Sequence, residues 1–406
     1  MVFETKIHPT PRFGESVALM ALMISLAALS IDAMLPALPQ IGKDLGVERE
    51  NDVQLIISFV ILGMAVGQMF YGPVSDSYGR KPAIYAGFAI FIIGCLISIF
   101  AKSYSVMLAG RILQGIGVAS PRSLTMAMVR DQFEGRAMAR VMSLVMAIFL
   151  LVPAIAPALG QGILMIASWR AIFSAFLAQA LIACVWLAIR QPETLAPDRR
   201  IPFSLRRITL AIREICGNRA SLGYTIASGL VFGSFIGYLS TSQQVFQGQY
   251  GLGTQFPIYM AVLAFSIGCG LFLNSRIVMR HGMRSLTRRS LQTFVGFSIL
   301  FLAIAYVQNG HPPLWGLMTY LMLSFFSFGV LFGNLNALAM KPLGHIAGVG
   351  AAVVGSLSTV ISVALGILIG AGYNGTVLPI VGGFAILGIM AMAVVRWAEQ
   401  GMPMSS

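Results

Sequence analysis

The chain has 406 residues, of which 57% are hydrophobic and only 10% are charged. Soluble proteins carry about 25% charged residues, so this composition excludes an ordinary soluble domain and indicates a protein embedded in lipid. The formal net charge of +13 could suggest nucleic acid, but no helix-turn-helix, zinc-finger or RNA-binding signature is present, and no nucleic-acid partner is expected.

The first apolar stretch, residues 16–41, is long enough to cross a bilayer as a helix and contains a single charged residue, Asp32. A carboxylate near mid-membrane costs about 2.5–3.5 kcal/mol to insert, so such an acid predicts a function. The other acids of the chain lie in predicted loops or at helix ends. Two alternatives are a structural acid that caps a kink at Pro36 and Pro39, and a cleaved secretory signal, against which the many similar stretches downstream argue.

Twelve apolar stretches have the length of a membrane-spanning helix, which predicts an all-α membrane protein. They cover approximately residues 16–38, 54–72, 82–101, 104–129, 138–164, 169–190, 220–246, 255–275, 287–307, 313–337, 346–372 and 375–397. The long polar segment between the sixth and seventh stretches predicts an N-terminal six-helix bundle over 1–190, a cytoplasmic linker over 191–219 and a C-terminal six-helix bundle over 220–406. Within the linker, residues 204–216 have the pattern of an amphipathic helix on the membrane surface.

Most of the 27 lysines and arginines lie in or beside the segments that would be cytoplasmic if the amino terminus is inside. This asymmetry follows the positive-inside rule and places both termini in the cytoplasm. It also accounts for the basic charge of the chain without nucleic acid.

Glycines and charged residues follow the second stretch at a regular spacing: Gly72, Asp76, Gly79, Arg80 and Lys81. The spacing resembles the G-x-x-x-D-x-x-G-R-K signature of the major facilitator superfamily, with Ser77 in place of the usual basic residue. The resemblance implies two pseudo-symmetric six-helix bundles and a loop that helps to hold the two halves together in one state. A second-half segment around Gly282 repeats the glycine and the basic residues without the acid.

The fourth stretch contains Arg111, Gln114 and Gly115, which resemble the superfamily signature R-x-x-Q-G-x-G. At 1.5 Å per residue, Asp32 and Arg111 each lie about 10 Å from the outer end of their helices. We therefore predict direct or water-mediated coupling between these two charges, and a static ion pair is the alternative. Arg122, after Pro121, is a second buried cation that we place at the cavity or against a backbone carbonyl.

The fifth stretch carries Pro153, Pro157 and Gly160, which resemble the G-P-x-x-G-G signature of superfamily exporters. Residues 32–39 resemble the D-x-x-L-P-A-L-P sequence of the Bcr/CflA-type drug-resistance branch, with Met34 where an aromatic residue is usual. The resemblance implies a bacterial inner-membrane transporter that exports small, largely hydrophobic drugs or metabolites in exchange for protons by alternating access. We expect it to act as a monomer without a cofactor or a metal.

Within this interpretation, Asp32 and Arg111 are the predicted proton-coupling residues. The predicted substrate-binding residues, chosen by helix position, are Asp32, Met34, Arg122, Tyr238, Gln243, Phe325, Asn334 and Asn336. The 23 methionines and 26 phenylalanines suit an adaptable apolar pocket, although both are also ordinary packing residues.

Three other functions remain as alternatives. The same fold supports proton-coupled uptake of a small metabolite. A membrane-embedded enzyme is disfavoured, because the sequence contains no HExxH, no GxSxG, no paired buried carboxylates and no phosphate-binding loop. A receptor or scaffold without transport would release no protons when it binds a ligand.

Overall fold

A computed structural model of the protein describes residues 13–400, except for the side chains at positions 136, 139, 149 and 150. The predicted cytoplasmic tail over 1–12 and the last six residues lie outside the described part. The described residues form α-helices and short 3₁₀- or π-helical turns, and no strand. The α-helices are α1 Phe13–Asp32, α2 Leu38–Asp44, α3 Leu55–Tyr78, α4 Arg80–Ile99, α5 Tyr104–Gln132, α6 Gly135–Ile166, α7 Arg170–Arg190, α8 Leu205–Gly217, α9 Arg219–Gln243, α10 Phe256–His281, α11 Met283–Val307, α12 Leu314–Met340, α13 Ala347–Ala371 and α14 Leu378–Glu399.

Ten segments of the described chain combine the length and the hydropathy of a membrane span, and one of them, Leu314–Ala371, contains both α12 and α13. These ten segments therefore contain eleven membrane helices, and α5 is the twelfth. It is less apolar than the others because it carries Arg111 and Arg122, but it packs between α3 and α4. The predicted all-α architecture with twelve membrane helices is therefore confirmed.

The first span is interrupted immediately after Asp32, where α1 ends. Leu35–Ala37 form a 3₁₀ turn, and α2 then continues the span to Asp44, six residues beyond the predicted end. Pro36 and Pro39 have no backbone N–H to donate, so a regular helix cannot run through this segment. The break places the only acid of the stretch at a helix end inside the membrane region.

The two halves use the same helix pairs. In the first half α5 packs against α3 and α4, and α1 packs against α6; in the second half α12 packs against α10 and α11, and α9 packs against α13. A glycine allows close contact at two equivalent helix crossings, that of α3 with α5 and that of α10 with α12. A Cβ on Gly115 would lie 2.0 Å from the Val60 oxygen, and a Cβ on Gly270 would lie 2.1 Å from the Phe326 oxygen. Small residues let membrane helices approach this closely.

The halves meet mainly through two helix pairs, α3 with α13 and α6 with α10, and α9 also contacts α3 and the turn Leu35–Ala37. Ser356 of α13 donates a hydrogen bond of 2.8 Å to the Ala65 oxygen of α3. We call the side of the protein that carries residues 191–217 the linker face, and the other side the opposite face.

Helix α8 forms within the linker as predicted, and its position on the membrane surface stays a prediction. Its apolar residues Ile208, Ala211 and Ile215 are buried, and the helix packs against α13 and α9. The sequence pattern identifies the apolar face of such a helix, whereas the surface that covers it depends on contacts with distant parts of the chain.

Candidate functional site

The acid predicted to be functional, Asp32, ends α1 at the level where the first span breaks. It is 7% exposed, and its carboxyl group forms no hydrogen bond or ion pair with any other described residue. Helix α6 approaches the break closely, since a Cβ on Gly160 would lie 2.0 Å from the Ala33 carbonyl oxygen. Gly160, a predicted conformational residue, therefore fixes the distance between α6 and the acid-bearing turn.

Arg111 is fully buried and lies at the depth of the acid, as the helix rise predicted. Its guanidinium donates to the Ser30 oxygen at 2.6 Å, the Ile56 oxygen at 2.9 Å and the Gln114 Oε1 at 2.5 Å. The guanidinium binds the Ser30 backbone oxygen, two residues before Asp32, and makes no direct contact with the Asp32 carboxyl group. Of the predicted direct or water-mediated coupling, the water-mediated form stays a prediction. The end of α1 leaves carbonyl oxygens without helical donors, and these acceptors suit a desolvated cation.

Tyr238 of α9 faces this region from the second half of the protein. It is 2% exposed, its hydroxyl donates to the Met260 Sδ at 2.8 Å, and its ring lies edge-on to Phe325 with centroids 4.7 Å apart. The Tyr238 phenol and the Asp32 carboxyl group interact electrostatically, and α9 also contacts the turn Leu35–Ala37.

An aromatic cluster extends from Tyr238 between α9 and α12. Phe235 contacts Phe325 and Phe332 at centroid distances of 5.7 and 6.1 Å, and Phe232 contacts Phe332 at 5.2 Å. Phe232, Phe235 and Phe332 are partly exposed, so the cluster has ring surface that the rest of the protein does not cover. The sequence analysis chose Phe325 and Tyr238 but missed the three partly exposed rings.

The other predicted substrate residues lie in different places. Met34 is fully buried in the turn next to Asp32. Arg122 is partly exposed on α5, three turns nearer the linker face than Arg111. Gln243, at the end of α9, bonds Gln247 at 3.1 Å.

The two asparagines of α12 lie nearer the linker face than Phe325. Asn334 is buried and exchanges two hydrogen bonds, of 2.8 and 3.2 Å, with Asn274 of α10. Asn336 is exposed and donates to the Phe332 oxygen of its own helix. The structure thus brings Asp32, Met34, Tyr238 and Phe325 together and leaves Asn334 and Asn336 outside this group.

At the opposite face the two halves are joined by uncharged groups, which we call the amide latch: the side chains of Asn51, Gln54 and Gln244 and the backbone oxygens of Ala371 and Tyr373. Asn51 donates to the Tyr373 and Ala371 oxygens at 2.9 and 3.2 Å, and accepts from Gln244 at 2.8 Å. Gln54 also bonds the Gln244 side chain. The sequence analysis missed Asn51 and Gln54, because nothing local in the sequence marks a contact with residues 190 to 322 positions away.

At the linker face the predicted motif is partly helical. Helix α3 continues to Tyr78, so Gly72 and Asp76 lie inside it, and the turn is made by Gly79 alone, with φ of 106°. Arg80 binds Asp76 at 2.5 Å and Asp131 at 2.9 Å.

The start of the linker is bound to this motif. Glu193 accepts hydrogen bonds from the backbone N–H groups of Arg80 and Lys81 at 2.9 and 3.0 Å, and the Lys81 ammonium binds the Gln191 oxygen at 2.5 Å. Ile201 donates to the Asp76 oxygen at 2.9 Å. The motif side chains therefore join α3, α4, α5 and the linker; the sequence analysis did not single out Glu193.

Helix α6 carries Pro153 and Pro157 in its interior and contacts α1 in its own half and α10 in the other. Proline removes a helical hydrogen bond, and such helices bend where neighbours support them. The predicted conformational residues Pro153, Pro157 and Gly160 thus occupy the helix that touches both the acid-bearing turn and the second half.

The family model described as Major Facilitator Superfamily matches residues 20–367. The chain belongs to this superfamily. It is therefore a secondary transporter and not an enzyme, as predicted.

Three similar proteins illustrate the relationship. An "Uncharacterized MFS-type transporter YdgK" of Bacillus subtilis is 28% identical over 89% of this chain and 90% of its own length. A "Bicyclomycin resistance protein homolog" of Haemophilus influenzae is 28% identical over 92% of this chain and 94% of its own. The xylose transporter XylE of E. coli, in a partially occluded inward-open conformation, superposes with a TM-score of 0.73 at 12% identity, covering 96% of this chain and 98% of that one.

Proposed function

We propose that this transporter exports small, largely hydrophobic compounds in exchange for protons, with Asp32 as the group that carries the proton. The observation that supports this most is the position of Asp32: it is buried at a helix break between the two halves and has no hydrogen-bond partner among the described residues. A carboxyl group without a fixed partner gains or loses a proton according to the solvent and charges that reach it. Such a group suits a site that is exposed alternately to two sides of a membrane.

In the proposed cycle, Asp32 accepts a proton from the opposite face and releases it at the linker face, and substrate binding competes with the proton. Arg111 stays bound to the Ser30 and Ile56 oxygens and positions the end of α1, so it does not neutralise the acid permanently. This differs from a static ion pair, in which the carboxylate would hold its charge throughout.

The proposed substrate-binding surface combines Asp32 and Met34 of the first half with Tyr238, Phe325 and the partly exposed rings of the second. Its buried members become accessible to a substrate when the two halves part. Ring faces and a thioether provide apolar surface that adapts to several shapes, and a single acid provides the polar contact. The similarity to a bicyclomycin resistance protein homolog supports a drug-like substrate for this chain as well. Arg122, Gln243, Asn334 and Asn336 are proposed contacts only for states in which the cavity opens further towards either face.

Alternating access requires the amide latch to break when the cavity opens to the opposite face. We propose that the linker face is cytoplasmic, because the basic loops gather there. The bundles 1–190 and 220–406 would then rock about the linker 191–219, with both termini inside, in a bacterial inner membrane and as a monomer.

The test is proton release on addition of substrate to the detergent-purified transporter, with bicyclomycin and a set of apolar drugs and dyes as probes. Wild type should release protons when a probe binds, and Asp32→Asn should release none. Asp44→Asn is the matched control, because Asp44 lies in the same span but is half exposed and bonds Trp169. Equal release from wild type and Asp32→Asn would refute the assigned role of Asp32.

The direction of transport is tested separately in cells. Export predicts that expression lowers dye accumulation and raises drug resistance, whereas proton-coupled uptake predicts higher accumulation of the transported compound. Asp32→Asn should abolish either effect.

A further inference from the structure

We propose that Tyr238 senses the charge of Asp32: its hydroxyl donates to Met260 when the acid is neutral and to the Asp32 carboxylate when the acid is charged. This inference rests on the proposed function and deepens it. It assigns Tyr238 a positioning role that links the proton site in the first half to the aromatic cluster in the second.

The present partner of the hydroxyl is a poor one. A phenol is a good hydrogen-bond donor, but a thioether sulfur such as Met260 Sδ is a weak acceptor. Tyr238 is only 2% exposed, so water offers little alternative. A buried donor in this position gains from any stronger acceptor that comes within reach.

Asp32 is the acceptor of that kind. It lies on the facing side of the boundary between the halves, it interacts electrostatically with the phenol, and it lacks a partner among the residues described. The turn that follows it contacts α9, the helix that carries Tyr238. A hydrogen bond from a hydroxyl to a carboxylate is charge-assisted, and it is shorter and roughly twice as strong as a neutral one.

Other charges around the pair are few. Arg111, from α5, is bound to the Ser30 and Ile56 oxygens. Helices α12 and α13 contain no charged residue, and those of α6 and α9 lie in the first two turns at the linker face. The charged residues of α3, α7, α10 and α14 lie within two turns of the ends of these helices. The other charged residues of α5, which are Arg122, Arg130 and Asp131, lie three or more turns nearer the linker face than Arg111. The phenol is therefore the hydrogen-bond donor that most directly distinguishes a charged from a neutral Asp32.

The exchange of partners would also reach the substrate surface. The ring of Tyr238 lies edge-on to Phe325 at 4.7 Å and near Phe235 at 6.4 Å. A rotation of the phenol towards Asp32 changes both ring contacts. Loss of the proton from Asp32 in the first half would therefore alter the aromatic cluster in the second half. Binding of substrate and binding of the proton would thus be coupled through one side chain.

The experiment measures the affinity of the purified full-length transporter for bicyclomycin as a function of pH. Tyr238→Phe removes the donor and keeps the ring. Its pH midpoint should move up by about one pH unit, because about 1.4 kcal/mol of hydrogen bonding to the charged acid is lost. Met260→Leu removes the competing acceptor at similar volume, and its midpoint should move down.

Tyr320→Phe is the matched control. Tyr320 is another buried tyrosine of the second half, but its hydroxyl lies 3.1 Å from Ser298 rather than near Asp32. The pH midpoint of probe affinity in Tyr320→Phe should equal that of wild type. Unchanged midpoints in both Tyr238→Phe and Met260→Leu, with Asp32→Asn still abolishing the pH dependence, would overturn the sensor role and leave the proposed function intact. A pH dependence that survives in Asp32→Asn would overturn both.

Discussion

The polar groups around Asp32 and those around Arg80 are arranged in opposite ways. Asp32 is buried without a partner among the described residues, and the nearest cation binds backbone oxygens instead. Arg80 forms ion pairs with two carboxylates, and Glu193 accepts hydrogen bonds from the first two backbone N–H groups of α4. Pairing holds a group in one charge state, and a missing partner leaves that state free to change. We infer that the first region serves proton exchange and that the second holds helices and linker together.

The largest expected effect comes from Gly160→Ala, which tests whether the acid-bearing turn depends on the close approach of α6. The added Cβ would lie 2.0 Å from the Ala33 oxygen, which is backbone and cannot move aside easily. We expect a destabilisation of about 3 kcal/mol, at the upper end of overpacking costs, or a failure to accumulate in the membrane. Thermal unfolding in detergent measures it.

Gly162→Ala is the control for this change. It lies in the same helix, and nothing else comes within 4 Å of its added Cβ. Equal thermal stability of the two variants would show that α6 does not press against the turn as described.

A smaller effect is expected at the amide latch, which differs from both regions because it joins the halves without charge. Asn51→Ala removes three hydrogen bonds across the boundary, of 2.8, 2.9 and 3.2 Å. A net hydrogen bond contributes about 1 kcal/mol, and less at a partly exposed site, where water replaces the lost partner. We therefore expect a total loss of about 1.4 kcal/mol, so the population open at the opposite face should rise about tenfold. Distances between spin labels at the exposed positions Glu48 and Asn374, in a cysteine-free background, report the opening.

Asn336→Ala is the matched substitution here, because Asn336 is exposed and bonds only its own helix. It should leave the label distances unchanged. If Asn51→Ala also leaves them unchanged, the latch does not hold the halves together.

The smallest effect is expected from Glu193→Gln at the linker face. The Glu193 carboxylate accepts hydrogen bonds from backbone N–H groups at the start of α4 and from those of Thr194 and Leu195. Glutamine has one acceptor oxygen and no charge to interact with the helix N-terminus, so we expect a loss of about 1 kcal/mol. The melting temperature should fall for Glu193→Gln and not for Asp198→Asn, an exposed acid of the same linker. Equal melting temperatures for wild type and Glu193→Gln would argue against a holding role for this region.

Much of this fold was predictable, because membrane spans depend on local hydropathy. The helix rise also correctly placed Arg111 at the level of the last turn of α1. The turn at Gly79 also follows from the sequence. The partners were not predictable: Arg111 binds the Ser30 oxygen and not Asp32, since the broken end of α1 provides free carbonyls. Glu193, Asn51 and Gln54 act on residues more than 100 positions away, and local patterns carry no information on such contacts.

Proton movement driven by substrate tests the central role of Asp32 most directly. The transporter is reconstituted into liposomes with a pH-sensitive dye inside, and a gradient of a bound drug is imposed without any proton gradient. Our account predicts that wild type and Asp44→Asn move protons against the flow of drug, and that Asp32→Asn moves none. Proton movement by Asp32→Asn at the wild-type rate would contradict it.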